Sequence, residues 1–327
     1  MEDYINCYMS ANQSKSVATR KTEQYNIKRI LKIMELSKFD DFDINTFDKD
    51  KFDAFMCRVC GMYEPKTITM TLFSLKNFLE YHKANENIMD MANTYLEEFI
   101  QTTRKVTENQ KPNKRRTDNA ITYPELKDKV IGLIPDNLDT LSSKKLEDIM
   151  LIAFYTLIPP RRLGDYAEME YRDDTKLKRG AEKLNKEKNY ICYIGDGKYK
   201  VVVNKYKTAR RGGDEKLGQF SKAIDNDVVN GLIHKHINNQ SKSGKRFLFR
   251  DVKGNGINSH ALSQKLKRVS KKLIDKEITC DDFRHIYLTH YHNEFSKKSI
   301  AEKQEDLECV GQHYKPPTAE LYVDLHN

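Results

Sequence analysis

The chain has 327 residues, 38% of them apolar and 32% charged, and its formal net charge is +9. This length and composition predict a globular protein with room for two domains, and the positive charge favours a polyanionic partner, either nucleic acid or an anionic surface. No segment approaches the roughly 18 consecutive apolar residues of a transmembrane helix, and residues 1–16 lack the apolar core of a signal peptide. Six scattered cysteines exclude a disulfide scaffold and predict a reducing, intracellular compartment.

The first hundred residues show the periodicity of helices. Apolar residues at helical spacing predict one helix within residues 17–36 and another within 67–83, and residues 45–59 and 87–101 have the same character. The apolar positions are Ile27, Ile30, Leu31 and Met34 in the first helix and Ile68, Leu72, Leu75 and Leu79 in the other. We therefore predict a small helical bundle over residues 1–103. Its single CxxC, Cys57 and Cys60, lacks the second pair of a zinc site, and we interpret both cysteines as helix residues.

Residues 104–120 have the composition of a linker. They show no apolar periodicity, contain one proline, and carry six basic residues against one acid between Arg104 and Arg116. Two interpretations stay open at this point. The segment is either a solvated tether or a connection that lies along the phosphates of a bound nucleic acid.

The second half, residues 121–327, has a mixed pattern. Residues 121–134 and 143–158 predict helices, the second ending at Pro159-Pro160. Residues 189–196 and 198–208 predict two strands joined at Gly195 and Gly197, with a short third strand within 214–220. From about residue 220 the helical pattern returns. The predicted fold class is mainly α with a small antiparallel β-sheet.

Four short stretches of this half carry candidate chemistry. Arg162 and Asp165 stand three residues apart where a helix begins after Pro159-Pro160, so that both side chains share a face and the arginine is oriented toward an anion. Lys207 stands where a strand runs into a glycine-bearing turn, either as solvated charge or as a proton donor or phosphate contact. Arg284 lies beside an apolar helix face, which is costly without an anionic partner. His313 and Tyr322 close the chain in the pattern Gly-x-His, then nine residues to Tyr.

The order and spacing of these four stretches resemble the tyrosine recombinase (phage integrase) family. The whole chain fits the plan of that family, which is a helical core-binding domain, a basic linker and a mostly helical catalytic domain with one small sheet. The double proline before the arginine and the lysine- and asparagine-rich composition are similar to members from viruses and eukaryotic mobile elements, for which viral genome integration would be the role. The resemblance implies residues 1–103 as the core DNA-binding domain, 104–120 as the linker and 121–327 as the catalytic domain.

The resemblance also implies roles for individual residues. Arg162 takes the place of the first arginine, chosen over Arg161 because the acid Asp165 then follows at the third position. The other implied catalytic residues are Lys207, Arg284, His313 and the nucleophile Tyr322, with Asp165 and His285 as supporting residues. One position departs from the pattern. The family usually has histidine, sometimes lysine, three residues before the second arginine, and this chain has Asp281, which would repel a phosphate if ionised or accept the tyrosine proton.

The implied reaction is the cutting and rejoining of duplex DNA through a covalent 3′-phosphotyrosine. The arginines and His313 would stabilise charge on the phosphate oxygens, Tyr322 would attack, and Lys207 would protonate the departing 5′-oxygen. Such chemistry requires neither a metal nor ATP, so no cofactor is expected. Implied DNA contacts are Lys105, Lys111, Lys114, Arg115, Arg116, Arg210 and Arg211.

The resemblance further implies partners and a location. Four protomers would assemble on two double-stranded DNA sites, with a monomer or dimer in the absence of DNA and no membrane association. The protein would act wherever its target DNA is, in the nucleus if the host is eukaryotic. Two other functions remain open, a type IB-like topoisomerase with nearly the same residues and a catalytically silent DNA-binding protein, for which Asp281 is the argument.

Overall fold

The computed structural model describes residues 17–36, 47–108, 118–176, 185–205, 220–240 and 244–295. The chain divides into two compact units, Met1–Lys111 and Pro112–Asn327, each with its own apolar core. Within the described ranges, no helix is long and apolar enough to cross a membrane.

Unit 1 is built from four helices. They are α1 (Val17–Ile33), α2 (Lys49–Met62), α3 (Pro65–Tyr81) and α4 (Glu86–Glu108). The periodic apolar residues form the core as predicted: Ile68, Leu72, Leu75 and Leu79 of α3 are all buried, and α1 contributes Ile27, Ile30 and Leu31, with Met34 half-buried against them. Asp48 caps α2 by accepting a hydrogen bond from the Lys51 amide at 3.0 Å, and Pro65 opens α3 where its missing N–H costs nothing.

The first residues of the expected linker are helical. Helix α4 continues without a break through Glu108, so residues 104–108 extend it rather than forming a tether. The physical reason is local, because nothing in residues 101–108 breaks a helix and the first proline comes at position 112. Lys105 lies exposed on the last turns of α4. Residues 109–117 lie outside the described ranges.

Helix α6 forms the centre of unit 2. The helices of this unit are α5 (Tyr123–Gly132), α6 (Ser143–Thr156), α7 (Leu163–Tyr166), α8 (Asp227–Asn238), α9 (Ser259–Ile274) and α10 (Cys280–Phe295). Every residue of α6 from Leu146 to Thr156 is buried, and α5, α8, α9 and α10 pack around it. The buried stretch is apolar apart from Glu147, Asp148 and Thr156, as expected for a helix surrounded by others.

A small sheet lies beside these helices. Its strands are β1 (Glu170–Asp173), β2 (Tyr190–Gly195), β3 (Lys198–Val203) and β4 (Phe220–Ala223), in that spatial order. The β2–β3 hairpin turns through Gly195, Asp196 and Gly197, all at positive φ, which glycine adopts at little cost.

The predicted fold class, mainly helical with one small sheet, is confirmed, and two details of the sheet differ. Strand β4, Phe220–Ala223, pairs antiparallel to β3. It begins at the last residue of the segment 214–220 in which the third strand was predicted, and residues 214–219 lie outside the described ranges. Strand β1 was not predicted, and it pairs parallel to β2, so the sheet is mixed rather than antiparallel. Its sequence, Glu-Tyr-Arg-Asp, has no apolar alternation because all four residues are only half-buried.

Candidate functional site

The predicted arginine segment is a single helical turn. Helix α6 ends at Thr156, and Pro159-Pro160 prevent it from continuing, because a residue before proline is disfavoured in the helical conformation. Arg162, extended at φ −65° and ψ 150°, is the N-cap of α7, and its carbonyl accepts a hydrogen bond from the Asp165 amide at 2.9 Å. This turn places Arg161, Arg162 and Asp165 together at one corner of unit 2.

Asp165 forms a buried ion pair with Arg161, the residue before Arg162. Arg161 Nε donates to Asp165 Oδ2 at 2.9 Å, and the two side chains are only 4% and 3% exposed. Spacings of three and four both place residues on one helix face, so the sequence could not separate the two arginines by that rule. Arg161 is therefore a buried partner of Asp165, a role that was not predicted for it, and Arg162 lies half-buried beside it.

The remainder of the Arg161 guanidinium packs on the sheet. Its central carbon lies 4.0 Å from the ring centroid of Phe220, the first residue of β4, in a cation–π contact. Both terminal nitrogens are buried and have no hydrogen-bond partner among the described residues. Strand β4 is thereby tied to the arginine turn, and Asp165 is the one described carboxylate bonded to this buried cation.

Helix α10 brings the second predicted arginine. Arg284 is buried, with a side chain 3% exposed, and its Nη1 lies 3.1 Å from Asp281 Oδ1 on the preceding turn. Asp281 is 71% exposed, so its carboxylate reaches the guanidinium from the solvent side. His285 is half-buried beside them.

The start of α10 is fixed by a capping box. Thr279 N donates to Asp282 Oδ2 at 2.9 Å, and Asp282 N donates to Thr279 Oγ1 at 3.2 Å. The next residue, Cys280, donates its thiol to the Arg161 carbonyl at 3.5 Å, which joins α10 directly to the arginine turn. The sequence signal Thr-x-x-Asp at 279–282 marks this helix start and could have been recognised.

The contact from the Cys280 thiol to the Arg161 carbonyl brings the two arginine segments together, and the electrostatics of Asp165 agree with this. Burial raises the pKa of the Asp165 carboxyl, and the guanidinium groups of Arg161, Arg162 and Arg284 oppose that rise. One carboxylate thus lies within electrostatic reach of three arginines, two from the turn before α7 and one from α10. Such an excess of fixed positive charge at a buried corner can bind an anion, and planar guanidinium groups suit a phosphate.

Three of the other predicted site residues are described, and the rest lie outside the described ranges. Lys105 belongs to unit 1, and Asp281 and His285 accompany Arg284 on α10. The chain is described as far as Lys205, two residues before Lys207. Outside the described residues lie Lys111, Lys114, Arg115, Arg116, Lys207, Arg210, Arg211, His313 and Tyr322. Over the described residues, no group of three or more His, Cys, Asp or Glu side chains could hold a metal ion.

Comparison with solved structures identifies the fold. The chain is similar to the XerH site-specific recombinase bound to its difH substrate in a pre-cleavage complex, with a TM-score of 0.55 and 12% identity, covering 98% of this chain and 81% of that one. It is also similar to XerA recombinase, with a TM-score of 0.40 and 12% identity over 100% of this chain and 94% of that one. No family model and no curated protein sequence matches the chain. At this identity the XerH comparison shows a shared fold.

Proposed function

We propose that this chain, which has the fold of the tyrosine recombinases, cuts and rejoins duplex DNA through a covalent 3′-phosphotyrosine intermediate. The observation that supports the proposal is the buried ion pair of Arg161 and Asp165 beside Arg162, in a turn that the Cys280 thiol joins to α10, the helix of Arg284. The complex of XerH with its difH substrate supports DNA as the substrate class. Units 1 and 2 are the proposed DNA-binding and catalytic parts.

The arginines supply the electrostatic part of the mechanism. When a nucleophile attacks a phosphodiester, negative charge grows on the non-bridging oxygens, and fixed donors aimed at that charge lower the barrier. Arg162 and Arg284 are the proposed donors to these oxygens. Arg161 and Asp165 hold the turn that presents Arg162, because their ion pair is buried and bonded at 2.9 Å. His313 is the proposed additional donor.

Tyr322 and Lys207 are the residues proposed to make and break the bonds at phosphorus. Tyr322 loses its hydroxyl proton to solvent, its oxygen bonds to phosphorus, and the bond from phosphorus to the 5′-oxygen breaks. Lys207 is the proposed general acid that protonates this 5′-oxygen. The new phosphotyrosine keeps the bond energy of the phosphodiester, so a 5′-hydroxyl can attack it and restore the DNA without ATP. Four protomers on two duplexes would exchange strands in this way.

One contact favours the catalytically silent alternative. Asp281 stands where the family usually has histidine, and its carboxylate lies 3.1 Å from a terminal nitrogen of Arg284. A phosphate approaching that nitrogen must displace the carboxylate and meets its negative charge. The exposure of Asp281 allows the side chain to turn away into solvent, and we therefore assign it a modulating role rather than a blocking one.

The test is a covalent-capture assay on selected DNA. Duplexes that bind the full-length protein are first selected from a random pool, then prepared with a nick next to each candidate cleavage position so that a cut releases a short fragment and traps the intermediate. Incubation with EDTA and denaturing electrophoresis then report protein joined to DNA. We expect an adduct in EDTA that is lost in Tyr322→Phe and kept in the matched control Tyr314→Phe.

Two further arms separate the alternatives. A topoisomerase would relax a supercoiled plasmid lacking any selected site, and a recombinase would not. A silent protein would bind the selected duplex without an adduct, and recovery of the adduct by Asp281→Asn would identify that carboxylate as the cause. Binding without an adduct in both the native protein and Asp281→Asn would overturn the proposed function.

A further inference from the structure

Cys57 and Cys60 form a pair of thiols on α2 that the proposed function does not use. The face of α2 that packs into the core of unit 1 consists of Phe52, Phe55, Met56 and Val59. Both cysteines lie outside this face and are exposed, free thiols. Free cysteine is among the most frequently buried residue types, so packing does not account for two exposed thiols on one short helix.

The two cysteines are neighbours along one side of α2. They stand three residues apart, a spacing at which helix side chains share a face and their Cβ atoms are about 5–6 Å apart. Arg58 points elsewhere, because its Nη1 donates to the Ile33 carbonyl at 2.9 Å and lies 3.2 Å from Glu35 Oε1. Burial raises the pKa of the Cys60 thiol and the charge of Cys57 raises it further, which agrees with their proximity.

The spacing of the two cysteines determines what can join their sulfurs. A disulfide requires Cβ atoms about 3.5–4.5 Å apart, which is closer than an intact helix holds two residues three apart. A bridging metal ion spans a longer gap. With metal–sulfur bonds of about 2.3 Å, as in zinc thiolates, two sulfurs in line on one ion lie about 4.6 Å apart. The intact helix therefore favours a bridging ion over a disulfide.

The number of available ligands determines which ion fits. Structural zinc takes four ligands, and over the described residues no group of three or more His, Cys, Asp or Glu side chains could hold a metal. Asp53, one turn before Cys57, already accepts hydrogen bonds from Lys49 Nζ and Tyr95 Oη. Thiolates are soft ligands that select copper(I), an ion that binds two thiolates in line. A site with two sulfurs thus suits copper(I).

We propose that Cys57 and Cys60 form a two-thiolate site for a monovalent thiophilic cation, copper(I), held across the last turns of α2. The site belongs to unit 1 and does not depend on the proposed recombinase chemistry. Binding replaces two S–H bonds with two S–Cu bonds and releases two protons to solvent, and neither copper nor sulfur changes its oxidation state. A second thiolate fixed on the same helix raises the affinity by about 10²–10⁴ over that of a single thiolate.

The test is a copper(I) titration of the full-length protein, reduced and kept free of oxygen. The ion is supplied as its complex with a chromophoric chelator, so that transfer to the protein is measured as a loss of absorbance. Cys7 and Cys309 lie outside the described ranges, and serine replaces both in every sample to remove their thiols. We expect one copper(I) per chain, with two sulfur neighbours in its X-ray absorption spectrum.

Three variants separate the pair from its single thiols. Cys57→Ser and Cys60→Ser should each lower the affinity by about 100-fold or more, because each keeps only one ligand. The matched control, Cys60→Ser with Met62→Cys, keeps two thiols on α2 and moves one of them. Met62 is exposed, and a residue five positions along a helix points about 140° away from the first. This control should bind copper(I) no better than the single variants.

Protonation of Cys60 gives the binding a pH dependence. Burial, the charge of Cys57 and the charge of Glu98 on α4 all raise the pKa of this thiol, so at pH 7 it carries a proton that copper(I) must displace. The affinity should therefore fall by about tenfold or more for each pH unit below 7. An affinity independent of pH would contradict thiolate ligation.

Equal affinity in the control with the displaced thiol would show that any two exposed thiols suffice, and would overturn the inference from helix spacing. Absence of binding when both cysteines are present would overturn the site itself, as would three or more ligands in the X-ray absorption spectrum. Since the titration contains no DNA, its failure is distinct from failure of the covalent-capture assay, which tests the proposed function.

Discussion

The substitution Asp165→Asn tests whether the buried ion pair of Arg161 and Asp165 stabilises unit 2. The substitution keeps the shape of the side chain and removes its charge, leaving the buried Arg161 guanidinium without a carboxylate. Both partners are almost fully buried, at 4% and 3% exposed, so solvent cannot replace the lost charge. Removing one partner of a buried ion pair typically costs about 3–5 kcal/mol. Since the Asn oxygen can still accept the hydrogen bond from Nε, we expect the lower end, about 3 kcal/mol.

The double variant Arg161→Met, Asp165→Leu separates stability from function. Replacing both members of a buried pair with apolar side chains of similar size is often neutral, so we expect most of the stability to return, to within about 1 kcal/mol of the native protein. The adduct should not return, because the charge of Asp165 also acts on Arg162 and Arg284.

Stability should be measured in unit 2 alone, since a chain with two compact units need not unfold in one step. Hydrogen exchange of the buried α6 amides, read by mass spectrometry, reports opening of this core. A loss of about 3 kcal/mol corresponds to exchange faster by about 100-fold. Acceleration of less than about fivefold in Asp165→Asn, or a double variant less stable than the single one, would refute the reasoning.

Two further predictions concern the core of unit 2. Burial lowers the pKa of His236 from 6.5 to about 4, so the folded protein keeps this ring neutral while the unfolded chain binds a proton, and stability should fall by about 3 kcal/mol as the pH drops from 6.5 to 4. Unfolding at pH 7 and pH 4.5 should show a weaker dependence in His236→Gln, and an identical dependence would contradict the assignment. A Cβ at Gly256 would lie 2.9 Å from the Phe247 ring and 3.0 Å from Glu168 Cα, so Gly256→Ala should destabilise by about 1–3 kcal/mol. Gly231→Ala, with open space around its Cβ, is the control, and equal losses in the two variants would argue against a steric cause.

The helices were predictable because their information is local. The apolar spacing of α3 and the Pro159-Pro160 stop after α6 can be read from a few consecutive residues, and the structure confirms both. Strand β1 was not predictable, since its residues are half-buried, three of the four are charged, and it pairs with a strand about 20 residues later. The end of α4 was misplaced because basic residues are typical both of linkers and of exposed helix ends.

The candidate site likewise contains residues that local spacing predicts and residues that depend on contacts distant in sequence. The position of Arg284 beside an apolar face, and its acid partner at Asp281, follow from helical spacing. The choice between Arg161 and Arg162 depends on which side chain packs against Phe220, a contact 59 residues apart in sequence that no local pattern encodes.

The most direct test of the central claim is to identify the atom that becomes attached to DNA. The trapped adduct would be digested with protease and nuclease, and the nucleotide-bearing peptide sequenced by tandem mass spectrometry. We expect a 3′-phosphate ester on Tyr322, formed in EDTA. Attachment to any other residue, including the neighbouring Tyr314, or linkage through a 5′-phosphate, would contradict it.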